Sequence, residues 1–255
     1  MAVEGKFFIG TSGFTYKHWR GVFYPEDLPQ RKWLEHYVQH FNTVEINSSF
    51  YHLPRPSTCG NWRNRVPEDF VFAMKASRFI THIKRLKEIE EPLKNFFEVI
   101  RPLEKKLGPV LFQLPPGIKK DLLLLRDFLE KLPAGFCYAF EFRNNVWYED
   151  DLFSLLDSAG IAFCIHDLPL RVSPCVVTGK FIYVRFHGAQ QAYASSYTNE
   201  ELQTWAGRLK GYSKKGLDVY AYFNNDMQGY AVENAKTLKH FLGENGSDFP
   251  ADFAP

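Results

Sequence analysis

The chain has 255 residues, 45% of them hydrophobic and 24% charged, and its 31 Lys and Arg against 29 Asp and Glu leave a net charge of +2. That length suits one large α/β domain or two small ones, and a single core of this size can bury most of its surface. A balance so near zero gives no electrostatic basis for tight binding to a nucleic-acid backbone or a membrane surface, and no apolar run reaches membrane-spanning length.

In chain order, eight runs have strand character: Phe7 to Thr11, Thr43 to Asn47, Phe70 to Lys75, Pro109 to Leu114, Tyr138 to Arg143, Ile161 to Asp167, Phe181 to His187 and Asp218 to Asn224. Helical spacing lies between them. The first helix carries Trp33, Tyr37, Val38 and Phe41, and a short second one centres on Trp62 and Val66. The third spans Leu93 to Leu103, with Pro102 predicting a kink. Leu122 to Leu132 forms the fourth, and Leu152 to Leu156 the fifth, with Gly160 as its stop. Leu168 to Gly179 is too rich in proline and valine for a helix. Thr198 and Glu201 stand in capping-box spacing at the head of the seventh segment, and Val232 to Leu242 forms the eighth before Gly243.

Eight strand-then-helix units over about 250 residues predict an α/β fold, a (β/α)8 TIM barrel forming a single domain over residues 1–243, followed by a polar tail over 244–255. An open doubly wound sheet carries the same string, but its glycine loop is missing: the first strand ends in Gly10, Thr11, Ser12 and Gly13, which is not GxGxxG. Cys59, Cys137, Cys164 and Cys175 lack CxxC spacing. Together with the absence of a basic-then-apolar leader, they read as reduced, buried thiols of a cytoplasmic protein.

The segment TVEINSSFY, Thr43 to Tyr51, organises the functional reading. A strand of a parallel sheet covered on both sides normally runs apolar throughout, yet here Glu45 and Asn47 alternate with Val44 and Ile46. The same alternation recurs. Gln113 opposes Phe112 and Leu114, Glu141 and Arg143 oppose Phe140 and Phe142, and Arg185 and His187 oppose Val184 and Phe186. With Lys75 at the end of the third strand, these residues are predicted to gather inside the barrel at the carboxyl ends of the strands, where barrel enzymes place their sites. The competing interpretation is a charge network that neutralises itself purely for structure.

In a barrel of radius roughly 7.5 Å, glutamates on strands two and five bring their carboxyl groups to about 5 Å of each other when their heights match. That separation serves a nucleophile and acid pair, and equally two ligands of one metal. Lys75, Arg143, Arg185 and a protonated His187 would outnumber the two glutamates, so the rim is expected to welcome a small anionic ligand or phosphate. Catalysis is assigned to Glu45, Glu141 and His187, and substrate binding to Asn47, Lys75, Gln113, Arg143 and Arg185. Surplus loop aromatics, Tyr51 and Trp147 among them, supply stacking surfaces. Asn224, Asn225 and Asp226 follow the eighth strand, where barrels often bind phosphate. His166 and Asp167 end the sixth strand with ambiguous parity. No HExxH, P-loop or GxSxG motif occurs.

The spacing of Ile9-Gly10-Thr11-Ser12-Gly13, Trp19-Arg20-Gly21, Phe23-Tyr24-Pro25, Val44-Glu45-Ile46-Asn47 with Phe50-Tyr51, Phe112-Gln113-Leu114-Pro115-Pro116, Glu141-Phe142-Arg143, Arg185-Phe186-His187-Gly188 and Tyr222-Phe223-Asn224-Asn225-Asp226 resembles the YecE-like family, domain of unknown function 72 (DUF72). The resemblance runs from Phe8 to about Leu242. It implies a (β/α)8 barrel in a bacterial or archaeal cytoplasmic protein, and it implies no reaction, cofactor or catalytic residue. Asn144 departs from the family, in which many members carry histidine after the Glu-Phe-Arg triplet.

The leading expectation is therefore an enzyme of hydrolase or lyase type using acid/base chemistry on a small anionic, sugar- or nucleotide-like substrate. One alternative is a metal-dependent phosphodiesterase with Glu45, Glu141 and His187 as ligands, joined by His166 or Asp226. The other is a non-catalytic module for nucleic acid or a small molecule, nucleic acid being the less favoured partner. Cofactor, metal and oligomeric state are left open.

Overall fold

The computed structural model describes residues 3–244. The expected tail lies outside them except for Glu244. The strands are β1 (Phe7–Thr11), β2 (Thr43–Ile46), β3 (Val71–Lys75), β4 (Leu107–Leu114), β5 (Tyr138–Phe142), β6 (Ala162–Asp167), β7 (Phe181–Phe186) and β8 (Asp218–Phe223). All pair in parallel in the order β1-β8-β7-β6-β5-β4-β3-β2. The helices are α1 (Trp33–Tyr37), α2 (Ser48–Tyr51), α3 (Pro56–Asn64), α4 (Glu90–Ile100), α5 (Leu122–Glu130), α6 (Asp150–Ser158), α7 (Asn199–Ser213) and α8 (Tyr230–Leu242). This is a (β/α)8 TIM barrel.

Local chemistry sets most of the element ends. Thr198 accepts from the Glu201 amide and Glu201 reaches back to the Thr198 amide, so α7 starts with both halves of a capping box. Gly160 and Gly243 take φ of 67° and 86° behind α6 and α8. The connection from β6 to β7 holds no helix. Pro102 does more than bend its helix: α4 ends at Ile100, and a tight 3-10 segment, Arg101–Lys106, follows with Pro102 in its first turn. Asn47 is not the last residue of β2. It already has helical torsions and leads into the one-turn α2.

The ring closes between β1 and β2 by a single bridge between Ser12 and Glu45, together with a hydrogen bond from the Gly13 amide to the Glu45 carbonyl at 2.7 Å. At this seam a Cβ on Gly10 would run into the Thr43 carbonyl oxygen, so only glycine lets the two backbones approach.

Alternation along the strands divides the core into two shells. Val110, Phe112, Leu114, Phe140, Phe142, Val184 and Phe186 face the helices and belong to one continuous cluster with the buried helix residues. Ala73, Leu111, Ala139, Ala162, Cys164, Tyr183 and Tyr222 fill the barrel interior. The small residues of β3, β5 and β6 leave room for the tyrosines of β7 and β8. The expectation of four buried thiols is corrected: Cys59 and Cys164 are buried, but Cys137 and Cys175 are exposed and all four are free. Cys137 lies just before β5 begins, and Cys175 lies in the helix-free connection, so neither is covered by the helical layer. Among the described residues no helix is long and apolar enough to cross a membrane.

Candidate active site at the barrel mouth

The inward positions that follow the small apolar ones along each strand carry polar groups. Lys75 comes two residues after Ala73, Gln113 after Leu111, Glu141 after Ala139, His166 after Cys164 and Arg185 after Tyr183. The result is a polar tier at the carboxyl ends of the strands, resting on an apolar floor. Glu45, Glu141, His166, Arg185 and His187 are all fully buried, and Lys75 and Arg143 nearly so.

Arg185 occupies the centre. Its Nη2 donates to Glu45 Oε1 at 2.8 Å, its Nε to the same oxygen at 3.2 Å, and its Nη1 to Glu141 Oε2 at 2.7 Å. Glu45 also accepts from Ser12 Oγ at 2.6 Å and from the Tyr183 hydroxyl at 2.7 Å. Arg143 Nε is in ion-pair contact with Glu141 Oε1, although the two are not aligned for a hydrogen bond. Burial pushes the Glu141 carboxyl up, but the guanidinium groups of Arg143 and Arg185 outweigh it and hold that group well below the usual carboxylate range. Burial acts against the Arg185 charge too, and the two glutamates more than reverse that.

This corrects the expected geometry. Glu45 and Glu141 do converge, but the Arg185 guanidinium lies between them and pairs with both. Among the described residues, no group of three or more His, Cys, Asp or Glu is arranged to hold a metal ion.

His187 differs from expectation as well. Arg143 Nη2 lies 2.9 Å from its Nε2, and a guanidinium can only donate, so Nε2 is the accepting nitrogen and Nδ1 carries the proton. The carboxamide nitrogen of Asn224 lies 3.2 Å from Nδ1, and turning that amide over would present its oxygen to the Nδ1 proton. Burial, with Arg143 and Arg185 close by, lowers the pKa well below the ordinary imidazole value despite Glu141. His187 is therefore neutral and adds no charge to the rim. His166 is also inward and lowered by burial. Its Nε2 lies 3.0 Å from the Phe142 carbonyl, while its buried Nδ1 has no hydrogen-bond partner.

Lys75 is the unusual cation. Its Nζ donates to Gln113 Oε1 at 2.7 Å and lies 4.4 Å from the centre of the Phe50 ring, with no described carboxylate in ion-pair contact. Helix α2 sets this up: the Ser49 hydroxyl lies 2.6 Å from the Lys75 carbonyl oxygen, and Phe50 is the next residue. Burial first, then the positive field of Arg185, brings the ammonium down from 10.5 to about 7, with Glu141 and Glu45 only partly opposing.

Beside the tier is a cavity of about 460 Å³ lined by Arg143, Asn144, Asn145, Tyr148, Arg171 and Val172, among others. Asn47 lies at the edge of the tier, its Oδ1 3.5 Å from Arg185. Tyr51 is 65% exposed next to Phe50. Three expected binding residues are placed otherwise. Trp147 is buried against Phe142 and donates to the Ile118 carbonyl, so it anchors its loop instead of facing a ligand. Asn225 is buried and donates to Asn234 Oδ1 and the Ser195 carbonyl, fastening loops around α8. Asp226 pairs with His18 at 3.5 Å. Sequence reasoning did not assign Ser12 to the site. Extending the inward alternation of β1 from Gly10 to Ser12 finds it.

A closed (β/α)8 barrel with an ion-paired polar tier at its carboxyl-end mouth is the class of protein defined by these features. The profile of the family described as "Protein of unknown function DUF72" matches residues 8–254, and the chain belongs to that family. It is 28% identical over 253 residues to the UPF0759 protein YunF of Bacillus subtilis strain 168, covering 86% of this chain and 89% of that one. It is 35% identical over 116 residues to the UPF0759 protein YecE of Escherichia coli K12, covering 45% of this chain and 43% of that one. Among solved structures, the DUF72 family protein TM1631 of Thermotoga maritima MSB8 superposes with a TM-score of 0.85 at 31% identity, over 93% of this chain and 99% of that one. The DUF72 protein EF0366 of Enterococcus faecalis V583 gives 0.80 at 23% identity, over 98% and 100%, a likeness of fold.

Proposed function

We propose that the barrel mouth is the active site of an enzyme that moves a proton on a small anionic substrate. Glu45, Arg185 and Glu141 form the fixed frame in this reading, because the Arg185 guanidinium pairs with both carboxylates and Glu45 also accepts from Ser12 and Tyr183. Arg143, which lines the cavity, receives the substrate's carboxylate or phosphate. Lys75 is the acid/base group. The observation that carries the proposal is its setting: a nearly buried amine with an amide oxygen and an aromatic face as neighbours and no described carboxylate in contact. A pKa of about 7 matches the operating pH at which a general base is most effective.

The test screens small carboxylates and phosphates by thermal shift, followed by mass spectrometry for conversion. Expected are stabilising anions whose effect disappears in Arg143→Gln, and turnover that rises through about pH 7 and is lost in Lys75→Met. Anions that bind through Arg143 but are never converted would assign the site to binding alone and remove the enzyme reading.

A further inference from the structure

We infer that Lys75 is a covalent nucleophile that captures a small carbonyl compound bearing an acid group, of the 2-oxo acid type, as a Schiff base. The inference rests on the proposed anion seat at Arg143 and adds to it the bond that forms. Three observations on the page carry it.

The first is the surroundings of Nζ. A lysine ion-paired to a carboxylate is held as ammonium and cannot attack, whereas among the described residues the Lys75 amine has only the Gln113 carboxamide oxygen within hydrogen-bond distance. That oxygen accepts one N–H equally from an amine, an ammonium or an iminium. The second is Phe50. Its ring face lies 4.4 Å from Nζ and attracts a cation without supplying a proton acceptor, so it fits the positive iminium that replaces the neutral amine. Both contacts survive the reaction, and the site is already shaped for the product. The third is the placement of Lys75 and Arg143 on the ends of β3 and β5, around the same mouth and close enough to act on each other electrostatically. An acid group on Arg143 thereby holds the adjacent carbonyl carbon on the side of the tier where Lys75 emerges.

In the step itself, the Nζ lone pair forms the C–N bond as the carbonyl π pair moves to oxygen. One proton passes from nitrogen to that oxygen, giving the carbinolamine. A second proton, taken from solvent, lets the hydroxyl leave as water as the C=N bond forms. The iminium keeps the remaining N–H and one positive charge, and Gln113 Oε1 accepts that N–H.

The test uses the full chain with pyruvate, and separately glyoxylate, in the presence of cyanoborohydride, which delivers hydride to the iminium carbon and leaves a stable secondary amine. Intact-mass and peptide mapping read the adduct. The expected result is one reduced adduct on Lys75, formed at least about tenfold faster than on exposed lysines, because its amine is largely neutral where theirs are protonated. Its pH profile turns near 7 and the adduct is missing from Lys75→Arg. Lys75 left unmodified by both probes, or labelled no faster than surface lysines, overturns the inference. Thermal shift by phosphate, read in the same samples, separates the two claims. A shift that depends on Arg143 with no adduct sinks the covalent step and leaves the anion seat standing. An adduct formed undiminished in Arg143→Gln keeps the covalent step and removes the seat.

Discussion

Arg185 on β7 donates to Glu45 on β2 at 2.8 Å, joining two strands that stand three places apart around the ring. The same guanidinium holds Glu141 on β5, so one side chain spans the mouth and bridges two carboxylates. Its role is geometric before it is chemical.

Arg185→Met is expected to destabilise the fold by about 3–5 kcal/mol, because the change strands the buried Glu45 carboxylate and takes from Glu141 one of its two guanidinium partners. Urea denaturation at pH 7 measures it. Tyr183→Phe removes one hydrogen bond to Glu45 Oε2 and costs about 1.5–3 kcal/mol. If the Met variant is as stable as the parent, the frame is not held by this pairing.

Glu141 sets the acid side of the stability profile. Its pKa is lower in the folded chain than the ordinary 4.5, so on acidification the unfolded chain takes up the proton first. The stability it contributes is complete above the unfolded value and is lost as pH falls through the folded one. Glu141→Gln is expected to flatten that acid limb, which denaturation between pH 3 and 6, a window chosen about the ordinary carboxylate value, will show.

Lys75 acts in the opposite pH range. Its folded pKa of about 7 lies below 10.5, so between those values the unfolded chain binds the extra proton and stability rises with pH. The slope approaches about 1.4 kcal/mol per pH unit for one proton. Lys75→Met is expected to lose this rise and to be more stable than the parent below pH 7. Equal slopes in the two proteins would place the Lys75 pKa near its ordinary value.

Thiol labelling tests the burial pattern. Cys137 and Cys175 are expected to react with a maleimide in the native protein, whereas Cys59 and Cys164 wait for unfolding. Burial raises the Cys164 thiol well above its ordinary value and raises Cys59 to about 11, which slows both further. Native labelling of Cys164 would mean that the barrel interior opens readily.

Much of this was legible in the chain because strand alternation has a rigid period of two. Once Phe112 and Phe140 are placed outward, Gln113 and Glu141 have nowhere to point but in. The ends of elements were less legible. Asn47 continues the alternation of β2 on paper, yet its backbone has already turned into α2. Contacts made across the ring were not legible at all. No pattern within β7 reveals that Arg185 fills the gap between two glutamates, and no pattern in the loops tells an anchoring Trp147 from an exposed Tyr51. Those outcomes depend on distances between segments far apart in sequence, as does the neutral state of His187, which follows from its burial beside two guanidinium groups.

The seam between β1 and β2 has a consequence for assembly on the ribosome. Strand β1 is made early but pairs along its whole length with β8, the last strand made, and is bridged to β2 only where Ser12 meets Glu45. The nascent chain must therefore carry its first strand undocked until nearly all the others exist. The carboxylate of Glu45 then meets its serine only when the cylinder shuts, so the mouth is completed at the same moment as the fold.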